Sequence, residues 1–312
     1  MRCAETERVP PASGVMVSAA ALLTGFRIVK IESVTVVLTT RTLIFTRILP
    51  TTTFATIISL TIIIFAFGLG ELFIMAMWNP WRGCRKCSEG CLHCYIHKGD
   101  VKRGIDTNHI TKTKDFYKPI EQLKSGKYKM NSGIVYLCFS TDFLIEEADQ
   151  WRKDCWNMIK QRQDCTFLFL TKRIERFADC IPDDWNDGYE NVVVGCTIEN
   201  QKNADKKLSL FASLPIKHKC ITAQPLLEKI YIEPYLDDIE LVVVGGESDY
   251  YARPFNYDWA LDIREQCIRK NVSFEFRQCG THFIKDGVKY KLQTKDLCSQ
   301  ARKAGIDFKA LC

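Results

Sequence analysis

Four cysteines crowd into eleven residues, Cys84, Cys87, Cys91 and Cys94, within the segment WNPWRGCRKCSEGCLHCY that begins at Trp78. Two spacings are nested in it. All four residues make C-x2-C-x3-C-x2-C, and the last three alone make C-x3-C-x2-C. Four thiolates close a tetrahedral zinc site. Zinc ribbons, however, separate their two pairs more widely, so that each pair sits on its own knuckle. Three thiolates on one short loop fit three corners of a [4Fe–4S] cubane, and the fourth iron stays open. Gly83 and Gly90 give such a wrapped loop its backbone freedom. Most of the other cysteines, out of fifteen in all, sit singly, several in apolar runs where a thiol packs as a small hydrophobe. An odd total with one tight cluster favours a reducing compartment and a metal site over a secreted disulfide scaffold.

The elements that must position these thiols lie downstream. Apolar, β-branched runs recur at residues 133–140, 166–172, 191–199, 218–227, 240–248 and 273–280. Their continuous hydrophobicity marks strands buried on both faces, as in parallel sheets. Helical spacing of apolar residues runs through 147–163, 203–214 and 257–270. The alternation predicts an α/β fold: a partial (β/α) barrel of about six parallel strands, with a short one before the cysteines. A doubly wound open sheet is the second possibility. In both, functional groups gather at the C-terminal strand ends. Those ends are polar here: Ser140, Thr141 and Asp142; Lys172 and Arg173; Glu199 and Asn200; Gln224; Gly245, Gly246, Glu247 and Ser248; Arg277 and Gln278. One polar strand end is an ordinary cap or turn, and Asn200 is a good helix cap. Six in succession describe a polar mouth over an apolar wall. Lys172, Arg173, Arg253 and Arg277 could hold an anion there or stand as solvated charges.

The motif C-x3-C-x2-C with an aromatic, His93, before its last cysteine resembles the radical S-adenosylmethionine superfamily. The segments WNPWRGC…GCLHCY, FLFLTKR, VVVGCTIENQ, ITAQPLL, VVVGGES…ARP and FEFRQCG, in that order, are similar to one branch of it. That branch is the phage-type family named after phage proteins gp thirty-seven and gp sixty-eight, and the likeness runs from Trp78 to Gly280. The resemblance implies an enzyme with a [4Fe–4S] cluster and S-adenosyl-L-methionine. Reductive cleavage would give a 5′-deoxyadenosyl radical that acts on an unknown substrate, fed by an electron donor such as a flavodoxin or ferredoxin. It implies Cys91 and Cys94 as cluster ligands. The superfamily spacing makes Cys87 the first ligand, whereas the branch pattern makes it Cys84. In a barrel, Ser140 and Asp142 would lie beside the cluster loop as cofactor contacts, and Glu199 and Asn200 could contact ribose or cap the next helix; Gly245, Gly246 and Glu247 resemble the superfamily's Gly-Gly-Glu cofactor contact, although on a late strand instead of an early one, or form a strand-terminating turn. Gln224 stands where the branch usually has Glu. Cys196 and Cys279, near strand ends, are placed as a hydrogen-donating thiol would be, or simply pack.

A nucleic acid or nucleotide is a conceivable substrate for a phage-type family, but composition adds nothing to it. The net charge is +6, with 43 Lys and Arg against 37 Asp and Glu, too small an excess to argue for nucleic acid. At 46% hydrophobic and 26% charged residues the chain is globular. One rival reading is a zinc-binding four-cysteine interaction module without catalysis. Another is a membrane-anchored reductase whose cluster relays electrons.

The anchor would come from residues 1–74, an extension that differs from the rest. It is free of charge from Ile48 to Gly70, long enough to span a bilayer. Arg41 and Arg47 before it would keep the N-terminus cytoplasmic. Met75 reads equally as a protein start, which would make the extension translated upstream sequence and the protein cytoplasmic. The expected divisions are therefore 1–74, a barrel domain over 75–280, and a polar segment over 281–312 forming a closing helix or a frayed tail.

Overall fold

In the computed structural model the described residues are 76–311, together with three strands nearer the N-terminus, Arg27–Ile31, Val34–Leu38 and Leu43–Arg47. These three are rich in Val, Ile and Thr, which suit a pleated surface. They pair antiparallel in sequence order as a small sheet of their own. The apolar stretch 48–70 lies outside the described residues. Among the described residues, no helix is long and apolar enough to cross a membrane. The larger compact unit spans Leu69–Cys312.

Seven strands carry that unit: β1 (Ala76–Trp78), β2 (Gly133–Leu137), β3 (Cys165–Thr171), β4 (Val192–Thr197), β5 (His218–Ala223), β6 (Leu241–Gly245) and β7 (Ser273–Gln278). All pair parallel, and neighbours in the sheet are neighbours in sequence, from β1 at one edge to β7 at the other. A doubly wound sheet reverses its strand order at a switch point. This sheet never does, so it winds in one sense like a barrel wall. Among the described residues β1 and β7 do not pair, and the sheet is an open, curled half-barrel.

The expected burial on both faces holds in β4, β5 and β6, where nearly every residue is buried. In β3 one face is fully buried through Cys165, Phe167, Phe169 and Thr171, and the other only half-buried. Five helices of eight residues or more accompany the sheet among the described residues: α1 (Tyr95–Lys102), α2 (Asp149–Gln161), α3 (Gln201–Ser213), α4 (Tyr257–Arg269) and α5 (Leu297–Ala304). They turn residues such as Trp156 and Ile159, Leu208 and Phe211, and Ala260 and Ile263 inward.

Residues 281–311 are built into the unit. His282–Lys285 and Val288–Lys291 form an antiparallel hairpin, and Phe255–Asn256 pairs parallel with its first strand. Helix α5 buries Leu297 and Ala301. Phe308 bridges antiparallel to Phe274, covering the free edge of β7.

An aromatic cluster fixes where the cysteine segment enters. Trp81 stacks on Phe143 at 5.4 Å, and Phe143 meets Trp156 edge-on at 5.1 Å and Phe169 at 4.9 Å. Both indoles also find acceptors. Trp78 Nε1 donates to Phe116 O at 3.1 Å and Trp81 Nε1 to Asp142 O at 3.2 Å. Large rings with satisfied N–H groups make a rigid base for the loop that follows.

Candidate metal and cofactor site

The cysteine loop starts at Gly83, whose φ of +93° suits glycine. A Cβ there would lie 2.6 Å from His109 O, so any side chain would collide with backbone. Cys84 N donates to Thr107 O at 2.8 Å, and Thr141 Oγ1 donates to Gly83 O. From this point four strand ends reach the loop. Tyr95 donates through its hydroxyl to Phe139 O, after β2, at 2.8 Å. Beyond β3, Arg173 Nη2 donates to Arg85 O at 2.6 Å. After β4, Glu199 Oε1 accepts from Gly90 N at 3.1 Å and Asn200 Nδ2 donates to Glu89 Oε2 at 2.8 Å. The loop after β6 adds Arg253 Nη2 to Glu89 O at 3.0 Å, and Asp249 pairs with Lys98 and lies 3.8 Å from His93 Nδ1. The loop is thereby tied across the C-terminal mouth of the half-barrel.

Most of the residues expected to touch a cofactor are engaged in this tethering. Asp142, 4% exposed, is a hub. It accepts from Thr171 Oγ1 at 2.8 Å, Leu144 N at 3.0 Å, and Lys172 N and Arg173 Nη1 at 3.1 Å. Ser140 N donates to Asn79 Oδ1 at 3.1 Å. Glu247 is buried and binds Arg253 through both carboxylate oxygens, so it acts on the loop through that guanidinium. Gly245 and Gly246 make room for neighbouring chain. A Cβ on Gly245 would lie 3.1 Å from Gln224 Cδ, and one on Gly246 2.8 Å from Cys279 O. Asn200 caps α3, accepting from Asn203 N at 2.9 Å, while also holding Glu89. Arg277 pairs with Glu275 at 2.9 Å, within its own strand.

Two charged atoms at the same place are buried without a hydrogen-bond partner: Lys172 Nζ and Glu199 Oε2. They flank Gly90. A Cβ there would lie 3.4 Å from Lys172 Nζ and 3.4 Å from Glu199 Oε1. Glu199 is 0% exposed, and Lys207 Nζ, which donates to Thr197 O, lies 4.0 Å from it. Buried polar atoms without a hydrogen bond are costly in general, and here Glu199 Oε2 has only the ion pair with Lys207 while Lys172 Nζ has no hydrogen-bond partner.

The thiols form a graded set. Cys87 donates a hydrogen bond to Cys91, and this holds the Cys91 thiol down at about 4, helped by Ser88 and the nearby Lys172 charge. The same bond, with burial, pushes Cys87 up. Burial pushes Cys84 up to about 12, reinforced by Asp142 and Cys91 and opposed by Arg173. Cys94 is the N-cap of α1. The described cysteines are all free thiols. Among the described residues, no three His, Cys, Asp or Glu side chains converge as a metal centre. Cys196 and Cys279 are 0% and 2% exposed, and burial raises both to about 12, as for packing thiols.

The family model described as a protein of unknown function, DUF5131, matches residues 72–304. The chain belongs to the DUF5131 family. The DUF5131 match runs from before β1 to the end of α5, so the cysteine loop and every strand end that holds it lie inside it. No curated protein and no solved structure matches this DUF5131 chain.

Sequence reasoning did not find Asp249 or Lys207 among the site-forming groups. Asp249 lies two residues beyond Glu247 and meets α1 only because the half-barrel curls. Lys207 had a usable signal: it lies eight residues after Glu199, on α3, and helical spacing turns it back under the strand end.

Proposed function

We propose that this protein is a radical S-adenosylmethionine enzyme acting on an unknown substrate. The observation that carries the reading is the pair Lys172 Nζ and Glu199 Oε2, both buried without a hydrogen-bond partner beside the four-cysteine loop. An α-amino acid presents one carboxylate and one ammonium, and this pair is complementary to both. The donor set fits a [4Fe–4S] cluster: Cys91 and Cys94 with Cys87 or Cys84 supply soft thiolates. Lys172 and Arg173 face the thiols and offset their negative charge. When bound, such a cluster supplies the electron that splits the sulfonium of S-adenosylmethionine.

The chain's own residues then have separate tasks. Lys172 holds the carboxylate of the methionine moiety and Glu199 its ammonium, with Lys207 beneath Glu199 fixing the position of that carboxylate. Asp142 and Arg173 fix the front of the loop, and Glu247 and Arg253 its middle.

The test is anaerobic purification, iron and sulfide analysis, a visible spectrum, and addition of S-adenosylmethionine with dithionite. About four irons per chain and release of 5′-deoxyadenosine are expected. Stoichiometric zinc with neither iron nor 5′-deoxyadenosine overturns the reading in favour of the interaction module. Cys84→Ser against Cys87→Ser separates the ligand schemes, because a three-cysteine cluster survives the loss of one of them and a four-thiolate zinc site survives neither.

A further inference from the structure

The loop after β6 carries two tyrosines that no packing explains. Tyr250 and Tyr251 are 67% and 71% exposed, and their rings meet edge to face at 4.9 Å. Each has a lysine nearby: Lys291 Nζ lies 4.3 Å from the centroid of Tyr250, and Lys98 Nζ 5.8 Å from that of Tyr251. The ring pair is fixed on both sides. His282 Nε2 lies 3.0 Å from Tyr250 O on the hairpin side. Asp249 joins Lys98 on the side of the cysteine loop.

The hairpin extends the strip. His282 faces Lys291 across the register and Ile284 faces Lys289. Strand alternation therefore puts His282, Lys291 and Lys289 on one face. Lys289 and Lys291 are exposed, and among the described residues neither is in an ion pair. Two exposed rings beside two lysines without an ion pair among the described residues, one of them lying against the Tyr250 ring, match the elements of a single-stranded nucleic acid, whose unpaired bases stack and whose phosphates carry charge. A duplex hides its base faces, and an acidic peptide would leave the rings without a stacking partner.

We propose that this strip binds single-stranded nucleic acid, with bases on Tyr250 and Tyr251 and phosphates at Lys289 and Lys291, and that a nucleotide held there is the substrate. The identity of the substrate rests on the proposed function; the binding itself does not.

The experiment uses the full chain, free of metal, and a fluorescein-labelled oligothymidylate of about twelve nucleotides, within the usual site size, followed by anisotropy. Replacing both Tyr250 and Tyr251 by Ala should weaken binding about a hundredfold, roughly tenfold per stacked base, with thermal unfolding unchanged. Lys289→Ala with Lys291→Ala should lower the slope of log K against log salt by about 1.4, or 0.7 per phosphate. Absence of binding at low salt overturns the proposal. So does equal affinity of the tyrosine variant, or equal competition by a duplex or by oligoglutamate. Release of 5′-deoxyadenosine without oligonucleotide binding would sink the strip and spare the radical chemistry. Binding by a protein that never takes up iron would do the reverse.

Discussion

Replacing Arg173 by Met removes the guanidinium that joins Asp142 to the cysteine loop. Asp142 is left buried and charged, which in general costs about 3–5 kcal/mol. Three other donors still reach it, from Thr171, Lys172 and Leu144, so the expected loss of global stability is about 3 kcal/mol, the low end of that range. The loop also loses its charge-assisted bond at Arg85 O, which contributes roughly 1.5–3 kcal/mol locally. Its open population should rise about tenfold to a hundredfold. Trypsin reads this directly, because Arg85 and Lys86 are cleavage sites within the loop, and cleavage of a rapidly reclosing segment tracks the open population. Limited proteolysis with mass spectrometry should therefore show the bond after Arg85 or Lys86 cut at least tenfold faster, roughly as the open population rises. Adding Asp142→Asn to the variant should restore part of the lost stability, since the stranded charge is gone. An unchanged tryptic rate with an unchanged unfolding midpoint would refute the tether.

Glu199→Gln and Lys172→Met should each weaken S-adenosylmethionine binding by about tenfold or more, as expected for a lost charged partner, while bound iron stays the same; calorimetry on the reconstituted protein checks both. Gly246→Ala puts a methyl 2.8 Å from Cys279 O and Gly280 Cα and 2.9 Å from Phe255 Cβ, and should lower stability by about 1–3 kcal/mol in urea denaturation. Asp164 is held below the ordinary carboxylate value by its hydrogen bonds with Arg162, so its stabilisation is fully present above about pH 4 and disappears as pH falls through the lowered value. Asp164→Asn should thus cost about 1 kcal/mol near neutrality, discounted because the carboxylate is 46% exposed, and its urea midpoint should converge with that of the parent chain in acid.

Much of the architecture was legible because parallel strands write themselves as continuous apolar runs. Val192–Thr197 and Leu241–Gly245 fall inside the runs that announced them, and polar residues trail each strand as the chain leaves the sheet. The hairpin after Gly280 was less so: Val288–Lys291 is exposed throughout and carries no apolar period. The candidate site was legible in its residue types and less in their roles. Asp142 and Glu247 look like ligand contacts in one dimension, yet their carboxylates meet guanidinium groups from residues 31 and 6 positions away. Spacing alone does not say whether a buried acid faces a partner or a vacancy. Glu199 and Lys172 differ in that an oxygen and an ammonium remain without a hydrogen bond, which needs side-chain positions to see.

The winding order of the half-barrel also bears on when the cysteine loop can form. Strands β2 to β7 pair with neighbours 21 to 33 residues away, as in Gly133 with Cys165, Cys220 with Leu241 and Gly245 with Gln278. Strand β1 pairs only across the whole cysteine segment, Ala76 with Val135. That closure carries the largest loop entropy in the sheet and only three residue pairs to repay it. The topology thus favours a wall that assembles first and a cysteine segment that docks last, onto a finished rim. Such late docking would keep the thiols reachable by the proposed cluster until the rim that holds the segment exists.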